Sequence, residues 1–128
     1  MRIPPGFGAV TPYIFVEGAE AFIQFLVTGL GGVEIGRHMD GSRIANAQVR
    51  LATSTVMLSE APEAFPAMPA SYYLYVEDAD AAMARALKAG ATCILEVQDM
   101  PYQDRQGGVR DPFGNLWWLS QRLVDGPY

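Results

Sequence analysis

Cysteine and histidine are nearly missing: the chain of 128 residues holds one of each, Cys93 and His38. A lone cysteine cannot close an internal disulfide, which points to a reducing compartment. A single histidine cannot be set beside a nucleophile from sequence, so neither a Ser-His-Asp nor a Cys-His catalytic arrangement is supported. Positive charge is also scarce. Lys and Arg number 9 against 14 Asp and Glu, a net charge of −5, and no basic cluster exists to neutralise phosphates. Nucleic acid is therefore not an expected partner. No apolar run reaches the about 18 residues of a membrane span, and no basic stretch leads into a long apolar one at the start. The expectation is a soluble, cytoplasmic protein with no membrane partner. Gly29, Gly31, Gly32 and Gly36 do not form the dinucleotide fingerprint, and Gly6 and Gly8 precede a strand rather than a helix.

What is present suffices for one domain, 1–128. Apolar residues make up 50% and charged ones 18%, the balance of a globular chain with a core. Internal similarity organises it. Tyr13-Ile14-Phe15-Val16-Glu17 falls on Tyr73-Leu74-Tyr75-Val76-Glu77, and Val49-Arg50 falls on Val109-Arg110 in the same register. One residue out of that register, Met57-Leu58-Ser59 meets Trp118-Leu119-Ser120.

Each copy reads as βαβββ. After a Pro/Gly-rich arm at 3–10, β-branched and aromatic residues predict a strand over 13–16. Phe22, Ile23, Leu26, Val27 and Leu30 predict a helix over 19–30, ended by Gly29, Gly31 and Gly32. Strands follow at 33–37, 43–51 and 55–60, with turn chemistry at Met39-Asp40-Gly41-Ser42. The first module spans about 9–60, a linker with Pro62, Pro66 and Pro69 spans 61–70, and the second module spans about 71–122. There the reading gives a strand at 72–76, then a helix at 80–89 capped by Asp78 or Asp80 and ended by Gly90. A strand at 92–97, a polar loop at 101–107, a short strand ending at Val109-Arg110, a turn at 111–115 and a last strand at 116–122 complete it. Cys93, within Ala91-Thr92-Cys93-Ile94-Leu95, reads as a small core residue.

Tyr75-Val76-Glu77-Asp78-Ala79-Asp80, Ala89-Gly90-Ala91 and Arg110-Asp111-Pro112-Phe113-Gly114-Asn115-Leu116-Trp117 resemble the vicinal oxygen chelate superfamily, the glyoxalase / bleomycin-resistance / dioxygenase proteins. The likeness covers about residues 9 to 122. It implies an α+β fold in which two tandem βαβββ modules form a half-open curved sheet cup. Helices cover the convex face and a small-molecule ligand sits in the concave one. It also implies a homodimer.

Alternation along the strands divides Ile14, Val16, Leu74 and Val76 from Tyr13, Phe15, Tyr73 and Tyr75. The aliphatic set suits packing against helices, so the aromatic set is expected in the cup. Met57 and Trp118 join it from the counterpart strands. Asn46, Gln48 and Arg50 share one face, either the cup's or a solvated one; Arg50 is included among the ligand-binding candidates. Asp104-Arg105 and Arg110-Asp111 read as ion pairs bracing the loop and the Asp-Pro turn, with a ligand grip as the alternative. Glu60, at a strand end, reads as a solvated carboxylate that could serve as a base.

Metal-using members of the resembled family supply His, Glu or Gln from four strands. The matching positions are Thr11, Ser71, Trp118 and a residue at or next to Met57, none a usual metal ligand. Relatives of this type often carry His where Asn46 and Asn115 stand, so Asn replaces imidazoles that could act as bases. The expectation is a binding protein rather than an enzyme, without metal or other cofactor, that holds an aromatic or cationic molecule. Two alternatives remain: a metal-dependent lyase/isomerase or dioxygenase with a site built from Glu34, Glu60, Glu96 or His38, and a structural or regulatory module without a small ligand.

Overall fold

Ile14 and Val16 are buried, while Tyr13 before them is exposed and Phe15 between them is half-buried, and that alternation orients the first strand. The computed structural model describes residues 1–128, which divide into two units, Met1–Pro69 and Ala70–Tyr128. The first contains β1 (Tyr13–Val16), α1 (Ala19–Gln24), β2 (Val33–Asp40), β3 (Arg43–Leu51) and β4 (Ser54–Glu60). The second contains β5 (Ser71–Tyr75), α2 (Ala79–Lys88), β6 (Thr92–Asp99), β7 (Asp104–Arg110) and β8 (Leu116–Arg122). Each unit forms an open mixed sheet, in the orders β1-β4-β3-β2 and β5-β8-β7-β6. The first strand of each unit runs parallel to the last, and the remaining pairs are antiparallel. This is the α+β, twice-repeated βαβββ architecture.

One helix covers one face of each sheet. In the first unit Phe22, Ile23 and Leu26 are buried with Ile14, Val49 and Leu58; each such side chain contributes about 1.5–3 kcal/mol of burial. In the second unit the helix presents small residues, Ala79 and Ala86 beside Met83, and bulk comes from the sheet instead. Trp117 is buried and stacks on Tyr72 with ring centroids 4.7 Å apart. Gly107 admits the helix closely: a Cβ there would stand 2.6 Å from the Met83 methyl group.

The strand that follows the repeat's last turn also seats its helix. Glu60 accepts hydrogen bonds from the Gly18 and Ala19 amides at 3.0 and 2.8 Å. Gln121 accepts from the Ala79 amide at 3.0 Å, and Asp78 caps the same helix through the Ala81 amide at 3.1 Å. First-turn amides lack intrahelical partners, so these oxygens satisfy them. Glu60 is thus a helix-seating group, not a solvated carboxylate.

Three elements differ from the sequence reading. The first helix is α-helical only to Gln24 and continues as a π-helical turn over Phe25–Gly29. β2 runs on to Asp40, turning at Gly41, whose φ of +62° suits glycine. Most consequentially, Asp104 to Gly107 is strand rather than loop. Asp, Gln and Gly are weak strand formers, but the ladder with β8, from Asp104 opposite Arg122 to Arg110 opposite Leu116, overrides propensity. Cys93 is only partly buried. Burial and neighbouring Glu96 push its thiol pKa up, which disfavours the thiolate.

The Asp-Pro turn is held by Asp111 without Arg110. The buried Asp111 carboxylate accepts from the Phe113 and Asn115 amides at 2.8 and 2.9 Å, from Asn115 Nδ2 at 3.0 Å and from Trp117 Nε1 at 2.9 Å. Asp111→Ala strands four donors, several of them buried. Urea unfolding should show a loss of at least about 3 kcal/mol. A loss below 1 kcal/mol would mean that the turn holds itself.

Candidate functional site

Register assigns every strand residue to the helix side or the open side of its sheet. In the first unit Tyr13 lies beside Met57, Met57 beside Gln48, and Thr55 beside Arg50. These share the helix-free face with Phe15 and Asn46. Asn46 Nδ2 donates to the Tyr13 hydroxyl at 3.3 Å, and Gln48 donates to Asn46. The arm reaches this face: Thr55 donates to the Gly6 carbonyl at 2.7 Å, and Gly6 lies against the Arg50 guanidinium. From the linker, Phe65 stacks on Phe15 at 5.5 Å and 18°. His38 sits opposite Asn46 and is exposed.

In the second unit Tyr73 lies beside Trp118 and Tyr75 beside Ser120. Trp118 faces Gly108, Ser120 faces Gln106, and Arg122 faces Asp104. Gly108 is required by a close approach, since a Cβ there would stand 2.7 Å from the Trp118 ring. The centre of this face is polar. Asp104 is fully buried yet accepts from the Tyr73 hydroxyl at 2.6 Å, the Tyr128 hydroxyl at 2.7 Å and Arg122 Nη1 at 3.0 Å. Tyr128 gives its only proton to Asp104, so Tyr75, 2.6 Å away, donates to Tyr128. Arg122 also covers the Tyr128 ring at 4.3 Å from its centroid. Gln106 donates to Ser120 at 2.8 Å and accepts from Tyr102.

These contacts set the ionisation of the group. Burial alone would raise the Asp104 pKa. The bonds from Tyr73 and Tyr128 and the Arg122 ion pair outweigh it and hold the carboxyl below the ordinary carboxylate range. Burial, then the bond to Asp104, raises the Tyr73 pKa. The bond with Tyr75, then desolvation and the bond to Asp104, raises that of Tyr128.

The sequence candidates Tyr13, Phe15, Met57 and Arg50 thus share one open face, and Tyr73, Tyr75 and Trp118 share the other. Arg122, Gln106 and Tyr128 were not singled out by the sequence, and Asp104 entered only through the alternative reading of Asp104-Arg105 as a ligand grip. Asp104 and Arg105 are adjacent in a strand and point to opposite faces: Arg105 binds Asp80 at 2.8 Å and Asp99 at 2.9 Å, bracing α2 and β6. The expected ion pair within Asp104-Arg105 is therefore replaced by two separate networks. Strand alternation from Trp118 through Ser120 to Arg122 was the signal available.

The family's metal is not matched by these side chains. The resemblance places Thr11, Ser71, Trp118 and a residue at or next to Met57 at the ligand positions. Trp118 Nε1, a donor with no lone pair to offer, bonds Ser71 Oγ at 2.8 Å. No three His, Cys, Asp or Glu side chains converge elsewhere. Glu34 binds Arg37 at 2.7 Å, and Glu60 is engaged at α1.

The family model described as Glyoxalase/Bleomycin resistance protein/Dioxygenase superfamily matches residues 6–119. An uncharacterized protein of Mycobacterium bovis is 36% identical over 126 residues, covering 88% of this chain and 82% of its own. Among solved structures, TioX from Micromonospora sp. ML1 superposes with a TM-score of 0.76 at 22% identity, over 94% of this chain and 100% of that one. TnmS3, an antibiotic binding protein from Streptomyces sp. CB03234, gives 0.71 at 22% identity, over 90% and 98%. At these identities the two structures speak to the fold alone.

Asp104→Asn should cost about 1–3 kcal/mol at neutral pH, the value of charge-assisted bonds to a buried carboxylate. Because the folded carboxyl has the lower pKa, its contribution is full above the unfolded value of about 3.9 and fades as pH falls through the folded one. Urea unfolding of the two proteins should differ at pH 7 and converge as pH falls through the lowered folded value. Tyr73 and Tyr128 carry the opposite sign: their raised pKa values favour the fold below about pH 10, and that contribution is lost as pH climbs through the folded values. A stability difference independent of pH would contradict the assignment.

Proposed function

The chain belongs to the Glyoxalase/Bleomycin resistance protein/Dioxygenase superfamily, and from that premise we propose that it binds a planar aromatic small molecule on its open sheet faces, without a metal ion and without turnover. The observation that carries this is the exposure of Tyr13, Tyr73 and Tyr75, at 45%, 44% and 51%, on faces that no helix covers. Rings clustered with a few hydrogen-bonding groups suit ligand contact. Tyr13 and Phe15 stand 5.1 Å apart and Tyr73 and Tyr75 5.3 Å apart, centroid to centroid, enough to offer flat and edge contacts. The antibiotic binding role of TnmS3 supports the same reading. Of the two ligand classes expected, the aromatic one is favoured, because Arg122 already balances Asp104, the buried carboxylate of the second face.

A homodimer is part of the proposal. β2 is an edge strand, and its Val33, Ile35 and Met39 are exposed; such edges invite pairing. Light scattering at micromolar concentration should give twice the chain mass, and a monomer would contradict it.

Calorimetric titration of EDTA-treated protein with 2-naphthol, a model planar aromatic, should give saturable binding. Trp118→Ala and Tyr73→Ala should each weaken it by roughly tenfold, the loss of about 1.4 kcal/mol of ring contact. Unchanged affinity in both variants would sink the proposed site. Strong dependence on one divalent metal would instead favour the metal-dependent enzyme.

A further inference from the structure

The segment after β8 folds back over the second open face, where Tyr128 occupies the middle of the polar group. Its hydroxyl sits between Asp104 Oδ2 and the Tyr75 hydroxyl, at 2.7 and 2.6 Å. Its ring lies 4.3 Å from the Arg122 guanidinium carbon and meets Tyr102 edge-on at 6.3 Å and 66°. Yet Tyr128 is 69% exposed, so it is not a core residue held by burial. Its backbone tether is modest as well: Arg122 Nη2 donates to the Gly126 and Pro127 carbonyls at 3.2 and 3.0 Å.

We propose that Tyr128 is an internal stand-in for the ligand, and that this face takes a neutral hydroxyaryl group whose O–H replaces that of Tyr128 on Asp104. The proposal rests on the reading that the open face binds an aromatic molecule, and it names the chemistry of that molecule. Every contact Tyr128 makes through its side chain can be reproduced by a free phenol or naphthol ring. When Tyr128 leaves, Asp104 keeps Tyr73 on Oδ2 and Arg122 on Oδ1. The vacated lone pair needs a donor, which excludes an ether or a carboxylate at that point. The Tyr75 hydroxyl, having lost its acceptor, needs an oxygen, which a hydroxyl supplies at the same atom. The guanidinium over the ring favours an electron-rich aromatic face and opposes a cationic one.

An internal competitor reduces apparent affinity by the fraction of time the site is free. Calorimetry with 2-naphthol and 2-methoxynaphthalene, on the wild type, Tyr128→Ala and Tyr128→Phe, tests this. The wild type should prefer 2-naphthol by about tenfold, one hydrogen bond to a carboxylate. Tyr128→Ala should bind 2-naphthol about five- to tenfold tighter than the wild type. Tyr128→Phe, which lacks the hydroxyl that competes for Asp104, should fall between them. If both probes bind the wild type but Tyr128→Ala binds 2-naphthol no tighter, Tyr128 is wall rather than stand-in. Equal affinity for the two probes would show that the Asp104 acceptor is unused. Either result overturns this inference and leaves aromatic binding intact. Failure of both probes to bind the wild type and Tyr128→Ala would overturn both readings together.

Discussion

Each module has one sheet, two sheet faces and one helix. A sheet this small is stable only if an apolar face is covered, and the helix can cover one. The other properties of the protein follow from how the uncovered face is finished. Aliphatic residues are confined to the helix side, where Ile14, Val49 and Leu58 lie in one unit and Val109 and Leu119 in the other. The open side receives rings, amides and hydroxyls that tolerate both water and contact. No buried side-chain nitrogen or oxygen is left without a hydrogen-bond partner, so the polar finish of these faces is complete rather than frustrated.

Two aspartates bracket this division. Asp111 turns inward and binds Trp117, fixing the turn before the last strand. Asp104, at the start of the same strand that leads into that turn, is equally buried but points to the open side. Both carboxylates are stabilised by several donors. Only Asp104 takes two of them from exposed tyrosines, and one of these, Tyr128, is the group proposed to give way to a ligand. Burial alone therefore does not tell the two carboxylates apart; the exposure of their donors does.

The repeat, the element order and the division of Ile14 and Val16 from Tyr13 and Phe15 were legible in the sequence because period-2 alternation is a local property. The length of β7 was not. Asp104 through Gly107 carry loop chemistry, and only the partner strand reveals them as ladder residues. Arg122 could have been reached by continuing the alternation past Ser120. Tyr128 could not, since it reaches Asp104 through a segment with no periodicity, and its position depends on a chain path rather than a pattern. The seating of α1 by Glu60 was likewise hidden, because it joins residues some forty apart in sequence.

Trp117 and Trp118 are consecutive, and alternation sends them to opposite sides of β8. One is sealed in the core against Tyr72 and Asp111; the other lies on the open side over Gly108. The protein consequently carries two indole chromophores in unlike surroundings, separated by one peptide bond. The inner one should emit toward the blue and resist collisional quenchers, reporting only on integrity of the core. The outer one should emit to the red and be reachable, reporting on whatever arrives at the sheet. Occupancy and unfolding can then be followed in the same cuvette as separate optical channels, with no label added.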